Sequence, residues 1–165
     1  MKIVLQRCTA ARVEVDGEIV GSIAQGLALF VGIEDSDEVQ DEAKAEAKAE
    51  AKAEGEAKAA RMARKILSLR IFDNDEGRFD RSLIDIKGGV LAIPNFTLCA
   101  QTGKGARPNF SRAARPETAQ RLFERFVTLL RASDVVVATG TFGAHMTVFV
   151  ENDGPVSIVL TSDDC

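Results

Sequence analysis

A chain of 165 residues with 45% apolar side chains is long enough to bury a core as one domain. Its net charge of −4 excludes a protein that coats nucleic acid by bulk charge, so any RNA contact has to come from a local basic patch. Three widely spaced cysteines, Cys8, Cys99 and Cys165, form neither a C-x-x-C pair nor a disulfide framework, which fits a reducing cytoplasm.

The opening MKIVLQRC is too short for a signal peptide, and no run of about 18 apolar residues predicts a membrane span. Residues 3–5 read as a first buried strand. Arg7 follows, with a fork of donors able to fix a backbone carbonyl. Residues 13–20 alternate around Asp16-Gly17, a tight hairpin. Residues 27–33 are a continuous apolar strand. Residues 41–60 are low in complexity, built on Glu-Ala-Lys-Ala units that favour helix. Like charges recur there at i,i+4, and opposite charges pair only at Lys52–Glu56 and Glu54–Lys58. With no large apolar side chain, the segment is expected to be a solvated helical insert with nothing to bury. A stripe at Met62, Ile66 and Leu69 carries the helix to about Ile71-Phe72. Residues 73–77 are turn chemistry without the spaced ligands of a calcium loop. Residues 90–93 form another buried strand that runs into Pro94-Asn95-Phe96-Thr97-Leu98.

Residues 102–111 are a loop interrupted by Gly103, Gly105 and Pro108. Pro116 opens a second helix, with Ala119, Leu122, Phe123, Phe126, Leu129 and Leu130 as its buried band. Arg121 and Arg125 share its other face. Lys104, Arg107, Arg112, Arg115, Arg121 and Arg125 stand against only Glu117 and Glu124 in this region, a basic stretch suited to phosphate contact. From it come the tRNA-contact candidates Lys104, Arg107, Arg112 and Arg121. Residues 135–137, 147–150 and 156–160 complete the strands. Between the last two, Asn152-Asp153-Gly154-Pro155-Val156-Ser157 reads as a sharp turn, and its Gly-Pro step is a place where a cis peptide is cheap.

His145 is the only histidine, and no serine or cysteine sits in a nucleophile motif beside it. No cluster of metal ligands and no glycine-rich phosphate loop is present. No metal or cofactor is expected. An enzyme made of these residues has to draw catalysis from backbone donors and from its substrate.

The order and spacing of several motifs resemble the D-aminoacyl-tRNA deacylases. They are Gln6-Arg7, Asp16-Gly17, Leu69-Arg70-Ile71-Phe72, Arg81-Ser82-Leu83, Pro94-Asn95-Phe96-Thr97-Leu98, Lys104-Gly105-x-Arg107-Pro108-x-Phe110, Thr139-Gly140-x-Phe142-Gly143 and Asn152-Asp153-Gly154-Pro155-Val156. The match spans nearly the whole chain outside the Glu-Ala-Lys-Ala segment. It implies an α+β fold, a strongly curved, barrel-like, mostly antiparallel sheet packed with helices. Residues 1–165 would form a single domain with a helical insert at about 41–60. It implies a homodimer that cleaves the ester between a D-amino acid and the tRNA 3′ end and rejects the L form; the cysteine pattern and the lack of a long apolar run add the expectation of a cytoplasmic protein with no membrane partner. Carried over, Phe96 and Thr97 are catalytic through backbone N–H groups. Pro94, Asn95, Gly154 and Pro155 contact substrate, and Arg7 braces the Gly-Pro step. In the family that step is cis and reaches the partner's active site, where its carbonyls hold the amino group and leave no space for an L side chain. The 2′-hydroxyl of the terminal adenosine lies beside the ester and can assist, so no side-chain base is required.

The family's usual Ser-Gln-Phe-Thr-Leu is here Pro94-Asn95-Phe96-Thr97-Leu98, and Ser157 stands for a threonine. A sibling group that clears L-alanine from mischarged tRNA also begins this motif with proline. It has alanine where Phe96 stands and a trans Gly-Pro step. Retention of Phe96 favours the D-specific reading. The alternatives are a sibling deacylase of glycyl- or L-alanyl-tRNA and a non-catalytic nucleic-acid-binding protein of the same fold.

Overall fold

The computed structural model describes residues 1–37, 45–103 and 105–162. Eight strands and two long helices follow in order: β1 (Lys2–Val15), β2 (Glu18–Ile23), β3 (Gly26–Gly32), α1 (Ala45–Ser68), β4 (Phe72–Asp73), β5 (Phe79–Arg81), β6 (Gly89–Pro94), α2 (Pro116–Arg131), β7 (Val137–Thr139) and β8 (Thr147–Thr161). Strand β1 is the hub, antiparallel to β2, β3 and β8. Strands β3, β6 and β7 run parallel, and parallel neighbours need long crossovers, which α1 and α2 supply. The expected curved sheet is therefore mixed: antiparallel around β1, parallel where the helices return the chain.

The sheet nearly closes into a barrel, with β2 meeting β7. Gly21 makes that closure possible, since a Cβ there would stand 2.7 Å from the Thr139 carbonyl oxygen. The β1–β2 hairpin turns at Asp16 and Gly17, both at positive φ (51° and 83°), the backbone a tight two-residue loop requires. The core has two parts. Ile3, Leu5, Leu27, Leu29, Val90 and Ala92 pack outward against Met62 and Ile66 of α1 and Leu122 and Phe126 of α2. Cys8, Val13, Ala28, Leu91 and Ile93 fill the second cluster, on the alternate positions of the same strands.

Four sequence expectations need adjustment. The α1 helix ends at Ser68, and Phe72 is buried in a small antiparallel pair with β5; an apolar run alone does not separate a helix end from a strand start. In α2 the buried band includes Val127, while Leu129 is only half-buried. Strand β7 lies at Val137–Thr139, where it can pair with Val90, Leu91 and Ala92, and Val136 stays exposed. The Glu-Ala-Lys-Ala segment has something to bury after all. Gly55 and Ala59 are buried and extend the stripe of Met62, Ala63 and Ile66 by two turns. Small residues suffice there because they let two helices approach closely. The Glu54–Lys58 pair forms at 3.4 Å. Residues 41–44, which open the expected insert, lie outside the described residues. Among the described residues no helix is long and apolar enough to cross a membrane.

Candidate active site

Residues 152–157 are not a turn joining two strands that face each other. Strand β8 runs through them and pairs with β1 on both sides. Ser157 stands opposite Gln6 and Asn152 opposite Cys8, so the intervening residues bulge away from the ladder. Gly154 and Pro155 are exposed at its tip, and the peptide between them is cis, the isomer the resemblance implies. Gly154 has φ +125°, a conformation side-chain-bearing residues rarely adopt. A Cβ there would stand 2.8 Å from Val156 Cγ2 and 3.2 Å from Arg7 Nη2.

Three side chains hold this loop. Arg7 is buried, and its Nε donates to the Asp153 carbonyl (3.1 Å) and faces the Asp153 carboxylate (3.0 Å). Its Nη1 donates to the Ile71 carbonyl (2.7 Å) and to Asp73 Oδ2 (3.3 Å). Arg7 thus contacts Asp153, the residue before Gly154. Asn152 closes the bulge from within: its Oδ1 accepts from the Val156 N–H (3.0 Å), and its Nδ2 reaches the Val156 carbonyl and Ser157 Oγ. Gln6 Nε2 donates to Ser157 Oγ (3.2 Å). No role for Asn152 was drawn from the sequence; the available signal was an Asn just before a Gly-Pro corner, a residue that bonds nearby backbone readily.

The second half of the site is built at the end of β6. Pro94 pairs with Val31, and the Asn95 N–H donates to the Val31 carbonyl (2.8 Å). The chain then makes a short 3-10 turn, Phe96–Cys99. Asn95 Oδ1 caps it, accepting from the Thr97 N–H (3.2 Å) and from the Thr97 hydroxyl. Among the described residues no hydrogen bond is made by the Phe96 N–H, the first of its helical turn. The Phe96 ring is 59% exposed and meets Phe110 edge-on, with centroids 5.2 Å apart. Phe110 is delivered by the loop 102–108, which Gln101 and Asn109 clasp with a pair of backbone hydrogen bonds.

Within one chain these halves do not meet. Pro94 lies level with Ile3 of β1 and two strands away, whereas the Gly-Pro bulge emerges between Gln6 and Cys8 on the opposite side. Strand spacing and rise place them on the order of 20 Å apart.

Arg107 and Arg112 are exposed on the chain that flanks Phe110. Arg121 and Arg125 face α1 instead, with Glu56 at 3.5 and 3.7 Å. Lys104 lies outside the described residues. Burial pushes the Cys8 and Cys99 thiols up to about 11, and His145 is exposed. Among the described residues no group of His, Cys, Asp and Glu could hold a metal ion.

A family model described as D-Tyr-tRNA(Tyr) deacylase matches residues 4–161. A D-aminoacyl-tRNA deacylase of Pseudomonas aeruginosa is 48% identical over 162 residues, covering 98% of this chain and 100% of its own length. One of Aquifex aeolicus is 42% identical, covering 98% of each chain. Among solved structures, a c-Myc DNA unwinding element binding protein superposes with TM-score 0.79 at 33% identity, covering 98% of both chains. A probable eukaryotic D-amino acid tRNA deacylase superposes with TM-score 0.74 at 17% identity, over 96% of this chain and 97% of that one, a likeness of fold.

Proposed function

The chain belongs to the D-Tyr-tRNA(Tyr) deacylase family, and we propose that it hydrolyses the ester between a D-amino acid and the 3′ end of tRNA while sparing L-aminoacyl-tRNA. The observation that carries this reading is the bulge in β8: an exposed Gly154–Pro155 backbone whose preceding carbonyl is gripped by a buried arginine. Rejecting one enantiomer takes a wall that does not yield, because selectivity against a competitor comes from a built-in clash. Backbone held by Arg7 and Asn152 is such a wall; a side chain could rotate away.

The chemistry fits the scarcity of acid–base side chains. Water attacks the ester carbonyl, the oxyanion that forms accepts from the Phe96 N–H, and the C–O bond to the ribose 3′ oxygen breaks. The Thr97 N–H can join only if the Asn95 side chain lets go of it. Proton transfer falls to the neighbouring 2′-hydroxyl of the substrate. Two copies of the chain form the working unit in the cytoplasm, and the Gly154–Pro155 tip of one completes the Pro94–Thr97 half of the other. Arg107 and Arg112 contact tRNA phosphates. The segment before Gly55 carries no part of the reaction.

The test is release of amino acid from D-Tyr-tRNA, L-Tyr-tRNA, Gly-tRNA and L-Ala-tRNA by the purified protein. D-tyrosine should leave at least about a hundredfold faster than L-tyrosine, the discrimination a built clash supplies. Faster clearance of glycine or L-alanine would support the sibling activity. Tight binding of tRNA or DNA with no release would support a binding protein, the reading that a neighbour named for DNA binding keeps in view.

A further inference from the structure

The short β4–β5 hairpin has no role in the reading so far, yet it is where the far end of Arg7 is anchored. Its side chains surround the guanidinium on the side away from the substrate loop. Nη1 donates to the Ile71 carbonyl and to Asp73 Oδ2, and the Phe79 ring covers the guanidinium carbon at 5.4 Å from its centroid. The opposite edge, Nε, holds Asp153. Arg7 thus ties the hairpin to the Gly-Pro loop, and the two face each other across a cleft of about 500 Å³ lined by Arg7, Asp73, Arg81 and Asp153.

Asp73 and Phe79 are otherwise hard to explain. Asp73 is 41% exposed on a strand of only two residues, and Phe79 is 56% exposed with no core around it. An exposed phenylalanine stacked on a buried cation is a cover, since it shields the charge and attracts it. The carboxylate gives a strong charge-assisted contact. The hairpin itself is kept rigid: Asn74 Oδ1 accepts from the Glu76 and Arg78 N–H groups, and Arg70–Asp80 and Arg81–Asp75 ion pairs close its ends.

We propose that Asp73 and Phe79 are positioning residues for stereochemical selection, acting through Arg7 to hold the Asp153 carbonyl and hence the Gly154–Pro155 wall. This rests on the deacylase reading, and the experiment separates the two. Asp73→Ala, Phe79→Leu, Arg7→Lys and the Asp73→Ala/Arg7→Lys double variant are compared with the parent for D-Tyr-tRNA and L-Tyr-tRNA hydrolysis. Hydrogen exchange of the peptide covering residues 152–157 is measured alongside. Asp73→Ala and Phe79→Leu should each lower the D/L ratio of kcat/KM by about threefold to tenfold with an unchanged melting temperature, the scale of one partly exposed contact. Exchange at residues 152–157 should rise in both. In the Arg7→Lys background Asp73→Ala should add almost nothing, because both act on one chain of contacts. Asp73→Asn, which keeps an acceptor oxygen, should recover most of the ratio. An unchanged ratio with unchanged exchange, or additive losses in the double variant, would overturn the clamp. A parent inactive on D-Tyr-tRNA would sink the deacylase reading alone, and the exchange data would still decide the clamp.

Discussion

The two halves of the site are held in place by different means. The turn that follows β6 is local: Asn95 caps Thr97, two residues on, and the geometry is written within a few residues. The Gly154–Pro155 loop is the reverse. Its shape depends on Arg7, 146 positions earlier in the chain, and through it on the hairpin carrying Asp73. In the proposed reaction the local half offers a hydrogen-bond donor, which tolerates small movement. The long-range half offers a wall, which has to hold its place to tell two enantiomers apart. A wall therefore gets bracing from independent elements, whereas a donor needs only its own turn.

The comparison is broken most severely at Gly154. Gly154→Ala places a methyl against Val156 and the Arg7 guanidinium at a φ that disfavours any side chain. D-Tyr-tRNA hydrolysis should fall by about a hundredfold, the usual cost of misplacing a reactive arrangement by an ångström, with a sedimentation profile unchanged from the parent's. Equal rates would remove the loop from the site.

The chemical half is tested by its substrate. A tRNA ending in 2′-deoxyadenosine, with the D-residue on the 3′ oxygen, should react at least about a hundredfold more slowly, the scale of a lost proton-transfer group. Thr97→Ala should stay within about threefold of the parent, since its hydroxyl is spent on Asn95 and surface truncations cost little. A dead Thr97→Ala with a normal deoxy substrate, or an acyl group trapped on Thr97, would reverse the assignment.

The RNA contacts should matter less to rate than to affinity. Changing Arg107 and Arg112 together to Ala should weaken tRNA binding and lower the slope of log K against log salt by about 1.5, close to one counterion per lost phosphate contact. Adding Arg121→Ala should change the slope little, because that side chain faces Glu56. The smallest effect is expected in the insert. Replacing residues 42–54 by a short helical connector should leave deacylation within about twofold. A cut carried through Ala59 should lower the melting temperature, because it removes Gly55 and Ala59 from the buried stripe.

Much of the fold is legible in the amino-acid sequence alone. The Asp16-Gly17 hairpin, the buried strands β3 and β6 and the start of α2 at Pro116 follow from local chemistry, and the structure has them in place. What was not legible depends on pairing across the chain. Two apolar runs flanking a Gly-Pro step look like two strands and a corner; only the register against β1 makes them one strand with a bulge. Val135 and Val136 look more strand-like than Ala138 and Thr139, yet β6 selects the latter. The burial of Gly55 and Ala59 is not legible in the sequence, because large side chains mark a helix face, whereas close helix contact is made by small ones. The cap from Asn95 to Thr97 also lay beyond the sequence pattern, since Asn can bond several backbone groups and only the turn decides which.

The most direct test addresses the separation, about 20 Å from strand spacing, between the two halves within one chain. Gly154→Ala protomers, which keep the Pro94–Thr97 half, are mixed with Phe96→Asp protomers, which keep the loop but set a carboxylate beside the N–H proposed to receive the oxyanion and so oppose the charge it must carry, under conditions that exchange subunits. If each site is assembled from two chains, random pairing rebuilds an intact site in the mixed dimers, and about a quarter of the parent's D-Tyr-tRNA hydrolysis should return although both variants alone are nearly inactive. Mixed dimers verified by mass spectrometry that regain nothing would mean the two halves never share a site.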